Sequence, residues 1–171
     1  MTLAVAGCGG APARDQAPAK GAMGVARLVS KNGSNVRGFI SFTQSGDKVS
    51  VAGDFYELFP GPHSLYIHEG GNCGSSNAAS AGSVWNVPGT TGKRTGDLTE
   101  VFAGSEGRAN ISLSLKNISV GTGRSDDVIG HSVVIYADVE SDPKAEFGVA
   151  NGRLACGVIE PSTGLDLKKF L

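Results

Sequence analysis

The 171-residue sequence has few aromatic side chains, no charge imbalance and no long apolar run. Aromatic residues make up 6% of the chain, and 15 basic against 16 acidic side chains leave a net charge of -1. A chain this close to neutral offers no electrostatic basis for binding nucleic acid or an acidic membrane. No apolar stretch approaches the roughly 20 residues that a bilayer-spanning helix requires. The sequence therefore points away from nucleic acid as a partner and from a transmembrane helix.

The composition favours short strands joined by tight turns. Glycine is abundant, at 26 residues, and Ser, Thr and Val dominate the middle of the chain. No 3.6-residue periodicity competes over a long window. The predicted strands are Met23–Ser30, Val36–Thr43, Lys48–Phe59, His63–Glu69, Val101–Phe102, Arg108–Leu115, His131–Ala137 and Arg153–Ile159. Eight such strands predict one all-β domain, a sandwich or a barrel, over residues 22–160.

Two segments, Gly70–Gly96 and Glu140–Gly152, lack strand character and are predicted to be long loops. Cys73 lies in the first loop and Cys156 lies on the last strand. In an exported protein the two would form a disulfide that pins this loop to the domain, whereas in a cytosolic protein they would be buried thiols. On the chain-entropy model, closing a loop of about 80 residues stabilises a protein by about 4–5 kcal/mol.

The N-terminus carries a short apolar run that ends in Ala6-Gly7-Cys8, which resembles the lipobox of bacterial lipoproteins. In such proteins small residues admit the processing enzyme and the cysteine thiol takes a lipid. The run lacks a basic start, so residues 1–21 are interpreted as a signal remnant followed by an Ala/Pro/Gly-rich tether. This hypothesis places the protein in the bacterial cell envelope, anchored to the membrane through Cys8. The alternative is a disordered N-terminus with an incidental cysteine.

Five phrases, in order, resemble the copper/zinc superoxide dismutases: Gly61–Glu69, Ser80–Pro88, Gly96–Leu98, Gly130–Tyr136 and Arg153–Ile159. The last, Arg-Leu-Ala-Cys-Gly-Val-Ile, is intact and highly specific. The resemblance covers roughly residues 22–160 and leaves residues 161–171 as a tail. It implies the eight-stranded Greek-key β-barrel of that family.

The metal ligands of that family are mostly replaced here. The resemblance implies four copper histidines, one of them bridging to zinc, and two further zinc histidines with an aspartate. The copper positions fall on Tyr66, His68, Val84 and Tyr136, and the other zinc positions fall near Gly92 and on Arg94 and Asp97. The whole chain has only three histidines, so six imidazole ligands cannot be supplied. The sequence therefore predicts no bound copper or zinc.

The remaining residues of the matched site have structural interpretations. His63 matches a histidine that packs near the copper site and hydrogen-bonds to the backbone, and His131 replaces an arginine. Arg153 matches the arginine that guides superoxide to copper, and the alternative is that it caps the long loop through backbone carbonyls. Trp85 is expected to pack inside the loop. Arg94 and Asp97 are expected to form an ion pair in place of the zinc.

Three functions remain open at this stage. The favoured one is an envelope lipoprotein of this fold without dismutase activity, with a binding or structural role. The alternative is an active dismutase with an altered or copper-only site that uses His68, Tyr66 and Tyr136, with His63 as a further contributor. Its cofactors would be copper, zinc or both. A weak copper-binding role is the third, although the chain has only two methionines and no cluster of soft ligands. A monomer and a homodimer are both compatible with the sequence.

Overall fold

The computed structural model describes residues 21–137 and 152–163. Within these residues it contains eight antiparallel strands and one short 3-10 helix, at Ala79–Ala81. The strands are β1 (Met23–Ser30), β2 (Arg37–Ser45), β3 (Lys48–Tyr56), β4 (Gly61–His68), β5 (Asp97–Ala103), β6 (Ala109–Leu115), β7 (Ser132–Tyr136) and β8 (Arg153–Ser162). The all-β prediction is confirmed.

The strands form a nearly closed barrel in the order β5-β4-β7-β8-β1-β2-β3-β6. β6 follows β5 in sequence but pairs with β3, and β7 then returns to lie between β4 and β8. These crossings are the Greek-key connection that the resemblance implied. They bring β4, β7 and the start of β8 side by side, and β4 and β7 carry three of the four matched copper positions.

The barrel core follows from strict alternation along the strands. In β3 the alternate residues Val49, Val51, Gly53 and Phe55 are buried, while the residues between each pair face outward. β4 and β7 differ, because they are buried on both faces over most of their length. A second layer must therefore cover the outer face of these two strands, and the long loop after β4 supplies it.

Three predicted strands, β3, β5 and β8, differ from the structure by three residues or more at one end, and the others differ by at most two residues. β8 ends at Ser162 rather than Ile159, so it takes in the first residues of the predicted tail. β3 ends at Tyr56 rather than Phe59, because Glu57 adopts a left-handed backbone conformation with φ of 62° that turns the chain. β5 spans Asp97–Ala103 rather than Val101 and Phe102 alone. The polar residues Thr99 and Glu100 interrupt the apolar pattern, so the sequence does not indicate the first half of this strand. Cys8, the tether, most of the Glu140–Gly152 loop and most of the tail lie outside the described residues. Over the described ranges, no helix is long and apolar enough to cross a membrane.

Candidate functional site

The matched metal positions lie together between the outer face of the sheet and the loop that covers it. Leu65 and Ile67 of β4 point into the barrel core, so Tyr66 and His68 point to the opposite face. There a second, smaller apolar cluster joins the loop to the sheet. Its buried members are Ala78, Ala81, Val134 and Cys156, with Cys73 and Tyr136 packed against them.

The covering loop is fastened to the sheet at two points. Cys73 and Cys156 form the predicted disulfide, with their Cα atoms 5.7 Å apart. Arg153, at the start of β8, donates hydrogen bonds to the carbonyl oxygens of Ala78 at 2.7 Å and Gly82 at 3.1 Å. The guanidinium is thus used to hold the loop, which is the structural alternative that the sequence had left open for it.

His68 is fully buried, and both of its ring nitrogens are occupied. Nδ1 donates to the carbonyl oxygen of Gly82 at 2.9 Å, so Nε2 carries the lone pair, and it accepts a hydrogen bond from the Tyr136 hydroxyl at 3.2 Å. Burial is the main cause that lowers the pKa of His68 to about 4, and the positive charges of Arg153 and Arg94 act in the same direction. The imidazole is therefore neutral at ordinary pH.

The two tyrosines fill the space beside this histidine. Their rings meet edge to face with centroids 5.4 Å apart, and the Tyr136 ring lies parallel to His68 at 6.0 Å. Burial raises the pKa of Tyr136 above its ordinary value of 10, so the phenol keeps its proton. Tyr66 is 8% exposed. The arrangement is a packed aromatic and hydrogen-bonded cluster.

The zinc positions carry an ion pair, as the sequence predicted. Arg94 Nη2 and Nε each lie 2.8 Å from Asp97 Oδ1, and the Arg94 backbone N–H donates to Asp97 Oδ2 at 2.8 Å. The Arg94 guanidinium also lies over the Tyr66 ring, 5.3 Å from its centroid. Val84 pairs with His68 through an isolated antiparallel β-bridge, so the two side chains lie on one face.

The other two histidines are engaged with the backbone. Each ring nitrogen of His63 faces a carbonyl oxygen at 2.8 Å, from Phe59 and from Tyr136. Nδ1 of His131 lies between the carbonyl oxygens of His68 and Glu69, and its ring stacks on Trp85 with centroids 4.2 Å apart. Trp85 is 6% exposed and packs in the loop as expected.

The sequence had not predicted the stacking of Trp85 on His131 or the shared use of the Gly82 carbonyl by His68 and Arg153. Neither contact leaves a sequence signal. A backbone carbonyl oxygen belongs to every residue type, and Trp85 and His131 are brought together only by the fold. In the part of the chain that the structure describes, no three His, Cys, Asp or Glu side chains form a group that could hold a metal ion.

Comparison with known proteins agrees with this geometry. The family model described as copper/zinc superoxide dismutase (SODC) matches residues 36–159. The chain belongs to the copper/zinc superoxide dismutase family. It is 31% identical over 156 residues to the extracellular superoxide dismutase [Cu-Zn] of Brugia pahangi, covering 82% of this chain and 76% of that one. It is 34% identical over 145 residues to the superoxide dismutase [Cu-Zn] of Onchocerca volvulus, covering 74% of this chain and 90% of that one.

Among solved structures, the crystal structure of the clock protein EA4 superposes on this superoxide dismutase family member with a TM-score of 0.68 at 28% identity. The match covers 85% of this chain and 98% of that one. The barrel is thus the fold of the copper/zinc superoxide dismutase type.

The buried neutral state of His68 makes folding stability depend on pH. The folded pKa of about 4 lies below the ordinary value of 6.5, so only the unfolded chain takes up a proton as the pH falls between these values. The stabilising contribution of the neutral His68 to the unfolding free energy is therefore complete above pH 6.5. It is lost as the pH falls towards 4, and the unfolding free energy drops by about 3 kcal/mol. Urea unfolding of the wild type and of His68→Phe at pH 7 and pH 4.5 measures this loss. The same loss in both proteins would rule out His68 as its source.

Proposed function

We propose that this family member lacks dismutase activity and uses the scaffold for binding or a structural role in the cell envelope. The observation that carries the proposal is the state of His68, the one imidazole kept at a ligand position. Its Nδ1–H donates a hydrogen bond to the Gly82 carbonyl oxygen, and its Nε2 accepts one from the Tyr136 hydroxyl. Both nitrogens are satisfied within the protein, so a copper ion would have to break a buried hydrogen bond to gain a single nitrogen ligand.

The other side chains at the matched positions do not fit copper or zinc. Copper of variable oxidation state is held in proteins by imidazole or sulfur ligands, and structural zinc requires four N, S or O donors. Val84 offers no lone pair, the phenol of Tyr136 is held protonated, and Asp97 is committed to Arg94. The site therefore supports no metal-dependent step of superoxide chemistry.

The ion pair of Arg94 and Asp97 takes over the mechanical role that zinc would have in fixing the end of the long loop. Asp97 satisfies both the guanidinium and the backbone of Arg94. It thereby closes the tight turn at residues 94–97 that leads into β5 without a metal.

Removal of this guanidinium should loosen the loop with little effect on global stability. We expect Arg94→Met to cost about 1 kcal/mol or less in unfolding free energy, because the pair is partly exposed. Limited proteolysis should nevertheless cut residues 86–96 faster than in the wild type. Lys116→Met, which removes the exposed ion pair with Asp47, is the matched control. Equal cleavage of the two variants would contradict the role given to Arg94.

The proposed location rests on two features. An intramolecular disulfide between Cys73 and Cys156 is typical of oxidising compartments. The sequence around Cys8 supplies a lipidation motif. Intact-mass measurement of membrane-extracted protein tests the anchor: a lipid-modified Cys8 supports it, and an unmodified N-terminus in that fraction contradicts it.

The decisive experiment measures metal content and activity together. The full chain is purified, incubated with copper and zinc, desalted and assayed by elemental analysis and by superoxide consumption. We expect less than stoichiometric metal and no superoxide consumption above that of the Tyr136→Phe variant. One copper per chain together with dismutase activity at the rate of a metal-replete relative would establish the copper-only alternative instead.

A further inference from the structure

A group of exposed arginine and aromatic side chains lies on the outer face of β1–β3 and β6, away from the former metal pocket. Arg27 and Val29 come from β1, Arg37 from β2 and Tyr56 from β3, and Arg108 lies just before β6. We call these five residues the arginine face. A groove of about 700 Å³ is lined by the first four of them together with Phe39 and Asn35.

The central part of the arginine face is held in place by stacking. The guanidinium carbon of Arg37 lies 6.0 Å from the centroid of the Tyr56 ring, and that of Arg108 lies 5.6 Å from it. Both distances are within the range of cation–π attraction. Two planar donor groups are therefore positioned before any ligand arrives, which lowers the entropic cost of binding.

The positive charge of this face is only partly compensated. The Arg27 side chain is exposed and forms no hydrogen bond or ion pair with any residue that the structure describes. Arg37 contacts Glu57 at 3.5 Å, with both side chains more than half exposed, and such pairs contribute little. Carboxylates of a partner could replace that contact and also bind Arg27 in bidentate fashion.

Apolar surface continues from this face towards the end of the barrel. The exposed large apolar side chains within residues 21–137 and 152–163 are Val29 at 47%, Phe59 at 72% and Phe102 at 74%. Val29 borders the groove, and Phe59 borders a second cleft of about 390 Å³ that shares Asn35 and Glu57 with it. Exposed apolar side chains beside arginine and tyrosine are typical of protein interfaces rather than of sites for free phosphate or glycans.

The arginine face lies at the end of the barrel away from the first described residue. The backbone N–H of Gly21, the first described residue, donates a hydrogen bond to the carbonyl oxygen of Gln44. Gln44 lies in β2 beside the start of β3, and Tyr56 is the last residue of β3. Eight strand residues separate these ends by about 27 Å. The chain therefore enters the described domain at the end of the barrel opposite to the arginine face.

From this arrangement we propose that the arginine face binds an acidic segment of a partner protein that also carries apolar side chains. Carboxylates of the segment pair with Arg27 and Arg37, and its apolar groups cover Val29 and Phe59. None of these residues belongs to the former metal pocket, so the proposal is independent of the loss of dismutase activity.

Photo-cross-linking of the full chain in its native cells tests this proposal. The photoreactive residue p-benzoylphenylalanine replaces Val29 in one protein and Ser50, exposed at the other end of β3, in the control. We expect an adduct from position 29 and none from position 50. Mass spectrometry should place the cross-link in a segment of net negative charge.

Charge reversal separates a specific adduct from incidental capture. With the photoreactive residue at position 29, Arg27→Glu should lower the adduct yield by about tenfold or more, whereas Lys48→Glu, the same reversal at a distant exposed site, should leave it unchanged. A yield insensitive to Arg27→Glu, or no adduct, would overturn the proposal. An adduct with a glycan or with a second copy of this chain would also overturn it, since the face would then have a different occupant.

Discussion

The variant Tyr66→His/Val84→His/Tyr136→His is expected to retain one copper ion per chain after desalting, where we expect the wild type to retain less than one. The three positions already surround His68. Tyr136 is bonded to its Nε2 at 3.2 Å, Tyr66 contacts the Tyr136 ring, and Val84 pairs with His68 across the β-bridge. Imidazole is smaller than phenol, so Tyr66→His and Tyr136→His open space that the larger side chain introduced by Val84→His can use. The three exchanges together supply three nitrogen donors. The expected change in affinity is larger than any other single effect considered for this pocket.

Electron paramagnetic resonance of the Cu(II)-loaded variant measures this change, because nitrogen ligands split the copper signal in a recognisable way. The control Tyr66→Phe/Val84→Leu/Tyr136→Phe alters the same three positions without adding a nitrogen. It should bind no more copper than the wild type. Copper bound to the control, or a histidine variant that folds but stays free of metal, would show that factors other than the ligand side chains govern the site.

The fold could be predicted from the sequence because its signals are local. Alternation in Arg108–Leu115 and turn residues between the strands fix the strands one at a time, and the intact Arg153–Ile159 phrase fixes the family. The errors arose where tertiary structure overrides local pattern. Apolar Leu58 and Phe59 favour a longer β3, but the left-handed backbone conformation of Glu57 ends the strand at Tyr56. Leu58 is instead buried in the core from a turn.

The sequence predicts which side chains form the candidate site but not which hydrogen bonds they make. The sequence predicts that Val84 offers no lone pair and that the protonated phenol of Tyr136 is a poor replacement for a histidine ligand. It does not reveal that one carbonyl, that of Gly82, receives hydrogen bonds from both His68 and Arg153. That carbonyl is positioned by backbone angles in the loop, where Ala78 and Gly82 have φ values of 56° and 75°. Such angles depend on packing over the whole loop and leave no periodic pattern.

Removal of the disulfide should have the largest effect on stability of any change outside the barrel core. We expect Cys73→Ala/Cys156→Ala to lower the unfolding free energy by about 4–5 kcal/mol, as the chain-entropy model gives for a closed loop of this size. The unfolding free energy of a whole domain is only about 5–15 kcal/mol, so this loss is a large share of it. Alanine is the better replacement because Cys156 is fully buried in an apolar cluster, where a serine hydroxyl would add its own cost. Urea unfolding measures the loss, with Cys8→Ala as the control.

The slope of unfolding free energy against urea distinguishes the cause of this loss. A cross-link that acts on the unfolded chain keeps that chain compact, so its removal should steepen the slope as more surface becomes exposed. If the disulfide acted instead by holding the folded loop against β8, the slope would stay constant and Arg153→Met would cost a comparable amount. Arg153 makes two bonds to the same loop, but they close no covalent ring. We therefore expect the steeper slope in the cysteine variant alone, and a loss below about 1 kcal/mol would show that the rest of the loop is self-sufficient.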